Sequence, residues 1–211
     1  MKRNQWFKHG VTLMIVVASV AYLNAFVVFN DIPPGFKSRS IQAMESQTIE
    51  GTSSFLKSNA DVFLLLNEVE IGYPNNLNFS YALSLTESAI SKLEQARARY
   101  QEIISLTQDS SYADDRVERL RQFNYTQFAR DNNLNGEVMK GLQKYLVKGD
   151  IVGLYAKNIA NMNNILRLLG EIKTQLNEGT PPPISSFWSL LQHYSDAILL
   201  GNYATIVFNH I

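Results

Sequence analysis

IVGLYAKNIANMNNILRLLGEIKTQL, residues 151–176, decides the fold. Tyr155, Met162, Leu169 and Leu176 recur every seven residues, with Val152, Ile159 and Leu166 in a second column beside them. Side chains three, four and seven apart share one face of an α-helix. The stretch therefore predicts a long amphipathic helix that must bury a continuous apolar stripe against other helices. Asn158, Asn161, Asn163 and Asn164 crowd the same segment. Asparagine is a poor helix former because its amide competes with the backbone for hydrogen bonds. The cluster reads either as a polar face beside the stripe or as amides kept for another helix, a peptide or a polar ligand. Asn158, Asn161 and Asn164 are the candidate polar contacts.

Outward from this segment, helical periodicity continues in both directions. A first body helix is expected from about Ser40 to Ile71, where Ile41, Thr48, Phe55, Val62 and Val69 recur every seven residues. The turn Gly72-Tyr73-Pro74-Asn75-Asn76 ends it. A second helix runs from about Ser80 to Leu106, with Ala82, Ala89, Ala96 and Ile103 in one column. Such a small column suits a close helix–helix approach. Glu87, Glu94, Arg97, Arg99 and Glu102 are assigned to its solvated side. A third, charged helix is expected over Tyr112–Arg130, capped by Ser110-Ser111 and broken by Asp131 to Gly136. A short helix follows, roughly Glu137–Val147. Beyond residue 176, Gly179 and Pro181 to Pro183 give a hard stop. The last helix runs from about Ser185 toward the C-terminus, with Phe187, Leu191, Tyr194, Ile198 and Phe208 on one side.

No segment alternates like a strand. Long helices joined by short turns favour an antiparallel bundle of about five helices, an all-α fold. The alternative is a helical-hairpin, solenoid-like array. Leu146 to Asp150 and Ile198 to Ala204 resemble tetratricopeptide hairpin turns, but their separation does not match the roughly 34-residue repeat.

Val11 to Phe29 carry no charged side chain, and Lys2, Arg3 and Lys8 precede them. At 1.5 Å per residue this stretch spans about 28 Å, close to the hydrocarbon thickness of a bilayer. The basic flank favours a cytoplasmic N-terminus. Residues 1–30 therefore read as a signal anchor, or as a signal peptide cut near Ser19-Val20-Ala21. Residues 31–39, with Pro33-Pro34-Gly35, form a linker, and residues 40–211 an extracytoplasmic bundle. Lys8-His9-Gly10-Val11-Thr12-Leu13 resembles a type IV pilin leader, which implies cleavage after Gly10. Ile15 stands where that family has a glutamate and the body lacks a β-rich head, so the chain is not assigned to it.

Charge is balanced, 19 basic against 19 acidic residues, and setting aside Lys2, Arg3 and Lys8 leaves 16 against 19. No basic patch offers a nucleic-acid footprint. The chain has no cysteine, which removes disulfides, thiolate metal sites and cysteine nucleophiles. That absence, with export, fits a bacterial periplasm or cell surface; secretion after cleavage is the alternative. Di-iron bundles need Glu-x-x-His on two helices, and none of His9, His193 and His210 has Glu three residues earlier. Ser195 and Asp196 adjoin His193 in sequence and do not face it across a site. No Gly-x-Ser-x-Gly elbow, Walker loop or dinucleotide fingerprint is present. The expectation is a protein without enzymatic activity and without a cofactor or metal.

The C-terminal helix is apolar around much of its circumference, so it is either central to the bundle or partly a docking surface. Phe187, Trp188, Tyr194, Tyr203 and Phe208 are the candidate interaction residues. A second membrane span there is weakened by Gln192, His193, Asp196 and Asn202. The expected function is a membrane-anchored accessory or scaffold subunit, held to the membrane by Val11 to Phe29, with a protein partner or self-association through helix faces. The alternative is an extracytoplasmic sensor-type module that binds a small ligand.

Overall fold

The computed structural model describes residues 39–72, 76–108, 121–146 and 151–208. The apolar segment and the linker before residue 39 lie outside the described residues, as does the whole charged stretch 109–120, where the third helix was expected to begin. Among the described residues there are six helices and no strand: α1 (Arg39–Gly72), α2 (Phe79–Gln108), α3 (Tyr125–Asp131), α4 (Gly136–Leu146), α5 (Ile151–Asn177) and α6 (Ile184–Phe208).

Local chemistry sets the ends. Gly72 ends α1 where Asn76 N–H returns to its carbonyl at 2.7 Å and a Cβ would lie 2.7 Å from the Leu77 backbone. Asn78 then caps α2, its Oδ1 accepting from Tyr81 N–H at 3.1 Å, while its own N–H donates to Glu68 of α1 at 3.2 Å. At the end of α5, Gly179 has φ +68°, Thr180 N–H reaches Gln175 O and Gly179 N–H reaches Leu176 O. This is a Schellman stop, and only glycine takes that φ without strain. Asn133, at φ 54°, ends α3 with the same bond pattern, and Asn135 caps α4.

The third expected helix is the one that differs. Residues 121–122 are helical, but the chain leaves the helix at Phe123 and Asn124 and restarts as α3. Asn124 Oδ1 takes the Gln127 N–H at 3.0 Å, so this side chain starts a helix rather than continuing one. The break lets the Phe123 ring meet Tyr125 and Phe128, each at 5.0 Å between centroids.

The four long helices form the bundle. Ser58 meets Ala89 and Thr52 meets Tyr100, so α1 and α2 are antiparallel; Arg97 meets Asn163 and Glu87 meets Lys173, so α2 and α5 are too. A short loop turns α5 into α6. The first and last helices touch as well, because Tyr194 of α6 bonds Ser58 and stacks at 5.0 Å on Phe55. A solenoid keeps its ends apart; this contact closes a bundle. The predicted column Ala82, Ala89, Ala96 and Ile103 is fully buried. Its small side chains let α1 approach closely enough for Ser58 Oγ to reach the Ala89 carbonyl at 2.7 Å.

Three hydroxyl pairs cross this core: Thr48 with Tyr155 at 2.9 Å, Thr52 with Tyr100 at 3.1 Å and Ser58 with Tyr194 at 2.7 Å. An apolar seam tolerates sliding, but a buried hydroxyl finds its partner in one register only, so the pairs fix how α1 sits against α2, α5 and α6. A smaller core joins Tyr125 and Ala129 of α3, Met139 and Leu142 of α4, Leu154 of α5, and Leu200 and Val207 of α6. It lies at the end of the bundle where α1 begins.

Candidate functional site

α6 turns its aromatic residues two ways. Phe187 and Tyr194 are fully buried and belong to the main core, whereas Trp188, one residue along from Phe187, is 62 % exposed. Phe187 and Tyr194 are thus spent on the interior, and Trp188 is the candidate docking residue that reaches the surface. The side chains of Tyr203 and Phe208 lie outside the described residues. Among the described residues no helix is long and apolar enough to cross a membrane.

Sequence reasoning passed over three more exposed large apolar side chains: Leu64 at 50 %, Ile71 at 75 % and Tyr81 at 44 %. Leu64 and Ile71 are seven apart and off the buried heptad columns, a signal that was available. All of them share the half of the bundle remote from Arg39. Ile71 and Tyr81 flank the α1–α2 turn, about 48 Å along α1 from Arg39 at the standard helical rise. Trp188 and Leu64 stand at the same height, each six residues from the Ser58–Tyr194 bond on antiparallel helices.

The asparagines divide. Asn164 is exposed, and Asn163 accepts from the Arg97 guanidinium at 3.1 Å. Asn158 and Asn161 are buried, with the Asn158 Oδ1 and the Asn161 Nδ2 lacking partners among the described residues. They lie one helical turn apart, between Leu154 of the smaller core and Ile165 of the main one. One open acceptor and one open donor side by side match a hydroxyl or an amide. Asn59 Oδ1 and Gln175 Oε1 are also buried without a donor.

A groove of about 530 Å³ runs elsewhere, between α1 and α2, lined by Ser53, Ser54 and Lys57 on one side and Gln95, Ala98 and Arg99 on the other. Arg99 pairs with Glu50 at 2.9 Å and donates to Gln47 at 3.1 Å. Toward the remote end, Lys92 crosses from α2 to Asp61 at 2.6 Å. Three of the charges placed on the solvated side of α2 thus bridge to its neighbours: Arg99 to α1, and Arg97 and Glu87 to α5.

Buried tyrosines dominate the electrostatics. Burial pushes Tyr100 and Tyr194 well above the ordinary phenol range, partly opposed by the Thr52 and Ser58 hydroxyls; the nearby Asp61 charge raises Tyr194 further. Tyr125 is pushed up to about 12 by burial alone. Neutral phenols held this way serve as hydrogen-bonding struts. Among the described residues no three His, Asp or Glu side chains converge where a metal ion would sit. No protein-family pattern, curated protein or solved structure matches the chain.

Proposed function

We propose that this protein is a non-enzymatic, membrane-anchored envelope protein, an accessory or scaffold subunit that acts through contacts between helix faces. Val11 to Phe29 is the anchor and the bundle is extracytoplasmic. One observation carries the reading: Leu64, Ile71, Tyr81 and Trp188 are exposed together on the half of the bundle farthest from Arg39, where the anchor would join. Scattered exposed apolar residues need no explanation, but a set gathered at one end marks an interaction surface. Exposed tryptophan and tyrosine are the residue types that dominate binding energy in protein interfaces. A photo-crosslinking amino acid in place of Trp188, in the full-length protein in its own membranes, should capture a protein. Recovery of the protein in the soluble cytosolic fraction, uncrosslinked, would sink the reading.

The buried pair Asn158 and Asn161 favours a second reading, a sensor-type module for a small polar ligand. Its sign is a ligand-dependent rise in melting temperature that disappears in Asn161→Ala. A screen of amino acids and simple amides that leaves the melting temperature unmoved would count against it.

A further inference from the structure

We propose that the part of the bundle toward Arg39 holds a site for a small uncharged molecule, between α1, α5 and α6. Its ligand has one end that both donates and accepts a hydrogen bond, as a carboxamide does, and an apolar remainder. This names the ligand class of the sensor-type reading above and rests on that reading. On α5 the buried stripe Leu154, Asn158, Asn161, Ile165, Leu168 and Ile172 advances by four and three residues, so its members share one face. On α6 the fully buried Phe187 and Tyr194 are seven apart, and the next step of seven reaches Gly201. A Cβ on Gly201 would meet no atom of the described residues within 4 Å, and the residue is partly exposed. A position on the inner face of α6 thus carries no side chain, and the room beside it opens outward.

Height brings the asparagines to this room. Tyr194 of α6 bonds Ser58 and Tyr155 of α5 bonds Thr48, both on α1. α1 and α5 run parallel, since each is antiparallel to α2, and α6 runs against them. Two turns from the Ser58–Tyr194 bond toward Arg39 lie Gly51 and Gly201; one turn from the Thr48–Tyr155 bond away from Arg39 lie Gly51 and Asn158. Asn158 and Gly201 are therefore level, and Asn161 is level with Ile198. Unmet atoms come next. Asn158 and Asn161 are 8 % and 4 % exposed, and the Oδ1 of the first and the Nδ2 of the second lack partners among the described residues. Residues three apart on a helix hold their Cβ atoms about 5–6 Å apart, a span over which one carboxamide meets both amides. Leucine at either place would continue the stripe without the cost of an unpaired buried amide. One ordered water serves two such amides with no need of an open core position, so the room at Gly201 points to a larger guest. Charge then sets the class. Asp61 is the one buried charged side chain among the described residues; Lys92 holds it, and it lies ten residues from Gly51, about 15 Å along α1. A charged ligand level with Gly201 would leave water and find no buried counter-charge, so the site selects a neutral one. Leu154 and Ile165, a turn to either side of the asparagines, suit its apolar remainder.

The full-length protein in mild detergent is melted with hexanamide, with hexanoate and hexylamine as charged probes of equal length at neutral pH, and with free amino acids. Hexanamide at tenfold its Kd should raise the melting temperature by about 3 °C or more, and the charged probes should not. Gly201→Leu fills the room and should abolish the shift, while its circular dichroism and cooperative melt show that the fold survives. Asn161→Leu, which melts higher on its own, should abolish the shift too, so loss of binding is read apart from loss of folding. A shift given by hexanoate or an amino acid instead of hexanamide, and lost in Asn161→Leu, overturns the uncharged class and leaves the sensor reading standing. A hexanamide shift that persists in either variant overturns the site. Melting unmoved by every probe leaves the asparagines an ordered water only, and overturns both.

Discussion

Tyr194 decides whether α6 is a structural wall or a free docking helix, and its hydroxyl gives a test with a calculable size. Ser58 Oγ lies 2.7 Å from the Ala89 carbonyl and 2.7 Å from the Tyr194 hydroxyl. A carbonyl only accepts, so the single Ser58 proton goes to Ala89 and the Tyr194 hydroxyl must donate to Ser58. Both side chains are fully buried. Ser58→Ala therefore removes two bonds and leaves the Tyr194 proton without an acceptor, a loss of about 2–4 kcal/mol. Tyr194→Phe removes one bond and leaves Ser58 still bonded to Ala89, a loss of about 1 kcal/mol. In the double variant no buried donor is stranded, and the loss is about 2 kcal/mol, less than the sum of the singles. Urea unfolding of the full-length chain in mild detergent, followed by circular dichroism at 222 nm, reads all three. Strict additivity, or a larger loss from Tyr194→Phe than from Ser58→Ala, would refute the donor assignment. No loss from either would place Tyr194 outside the core.

Gly51→Ala should destabilise the protein although it improves helix propensity by about 1 kcal/mol. The new Cβ would stand 2.7 Å from Tyr100 Cε1, and that ring is held by Tyr155 at 5.2 Å and by the Thr52 hydroxyl, so overpacking of about 1–3 kcal/mol outweighs the gain and the melting temperature falls. Asn161→Leu should raise the melting temperature, because it removes a buried amide with an unmet donor, worth about 1–2 kcal/mol; a lower melting temperature would mean the amide is engaged. Raising the pH above 10 should lower stability. Tyr100, Tyr125 and Tyr194 titrate higher in the folded than in the unfolded chain, so their contribution is complete below the unfolded phenol value and fades as the pH climbs toward the folded ones. The slope reaches about 1.4 kcal/mol per pH unit for each tyrosine, and stability constant from pH 9 to 11 would contradict their burial.

Much of the architecture is written in local chemistry. Gly179 with its prolines, Asn78 and the Asp131–Gly136 run each act within a few residues, so α1, α2, α4, α5 and α6 begin and end close to where pattern and turn residues place them. The Ala82, Ala89 and Ala96 column announces a close helix approach by size alone. The break at Asn124 was hidden because a lone asparagine in a charged, aromatic run looks helical until its amide is seen capping Gln127. The partners of Thr48, Thr52 and Ser58 were also hidden, since Thr48 and Tyr155 are 107 residues apart and Ser58 and Tyr194 are 136 apart. Periodicity shows that a hydroxyl lies on a buried face, not which phenol waits opposite. The same limit explains Phe187 and Trp188. A helix apolar nearly all round gives no inner side, and only the closure of α6 onto α1 assigns Phe187 inward and Trp188 outward.

The distribution of packing bears on how such a protein would work. The main core runs nearly the whole length of the bundle, from Leu77 and Leu176 at the remote end to Tyr100, Ile103 and Tyr155 toward Arg39. The hydroxyl pair Ser58–Tyr194 and the Lys92–Asp61 ion pair lock α1 to α6 and α2 in its middle, and Thr48–Tyr155 and Thr52–Tyr100 lock α1 to α5 and α2 toward Arg39. The small core of α3, α4 and the α6 terminus adds to that end, bordered by Asn158 and Asn161. A surface on a support braced along its whole length loses less conformational entropy when a partner docks, and more of its contact energy is left for affinity. The exposed Leu64, Ile71, Tyr81 and Trp188 stand on helices braced in this way, where an interface makes physical sense.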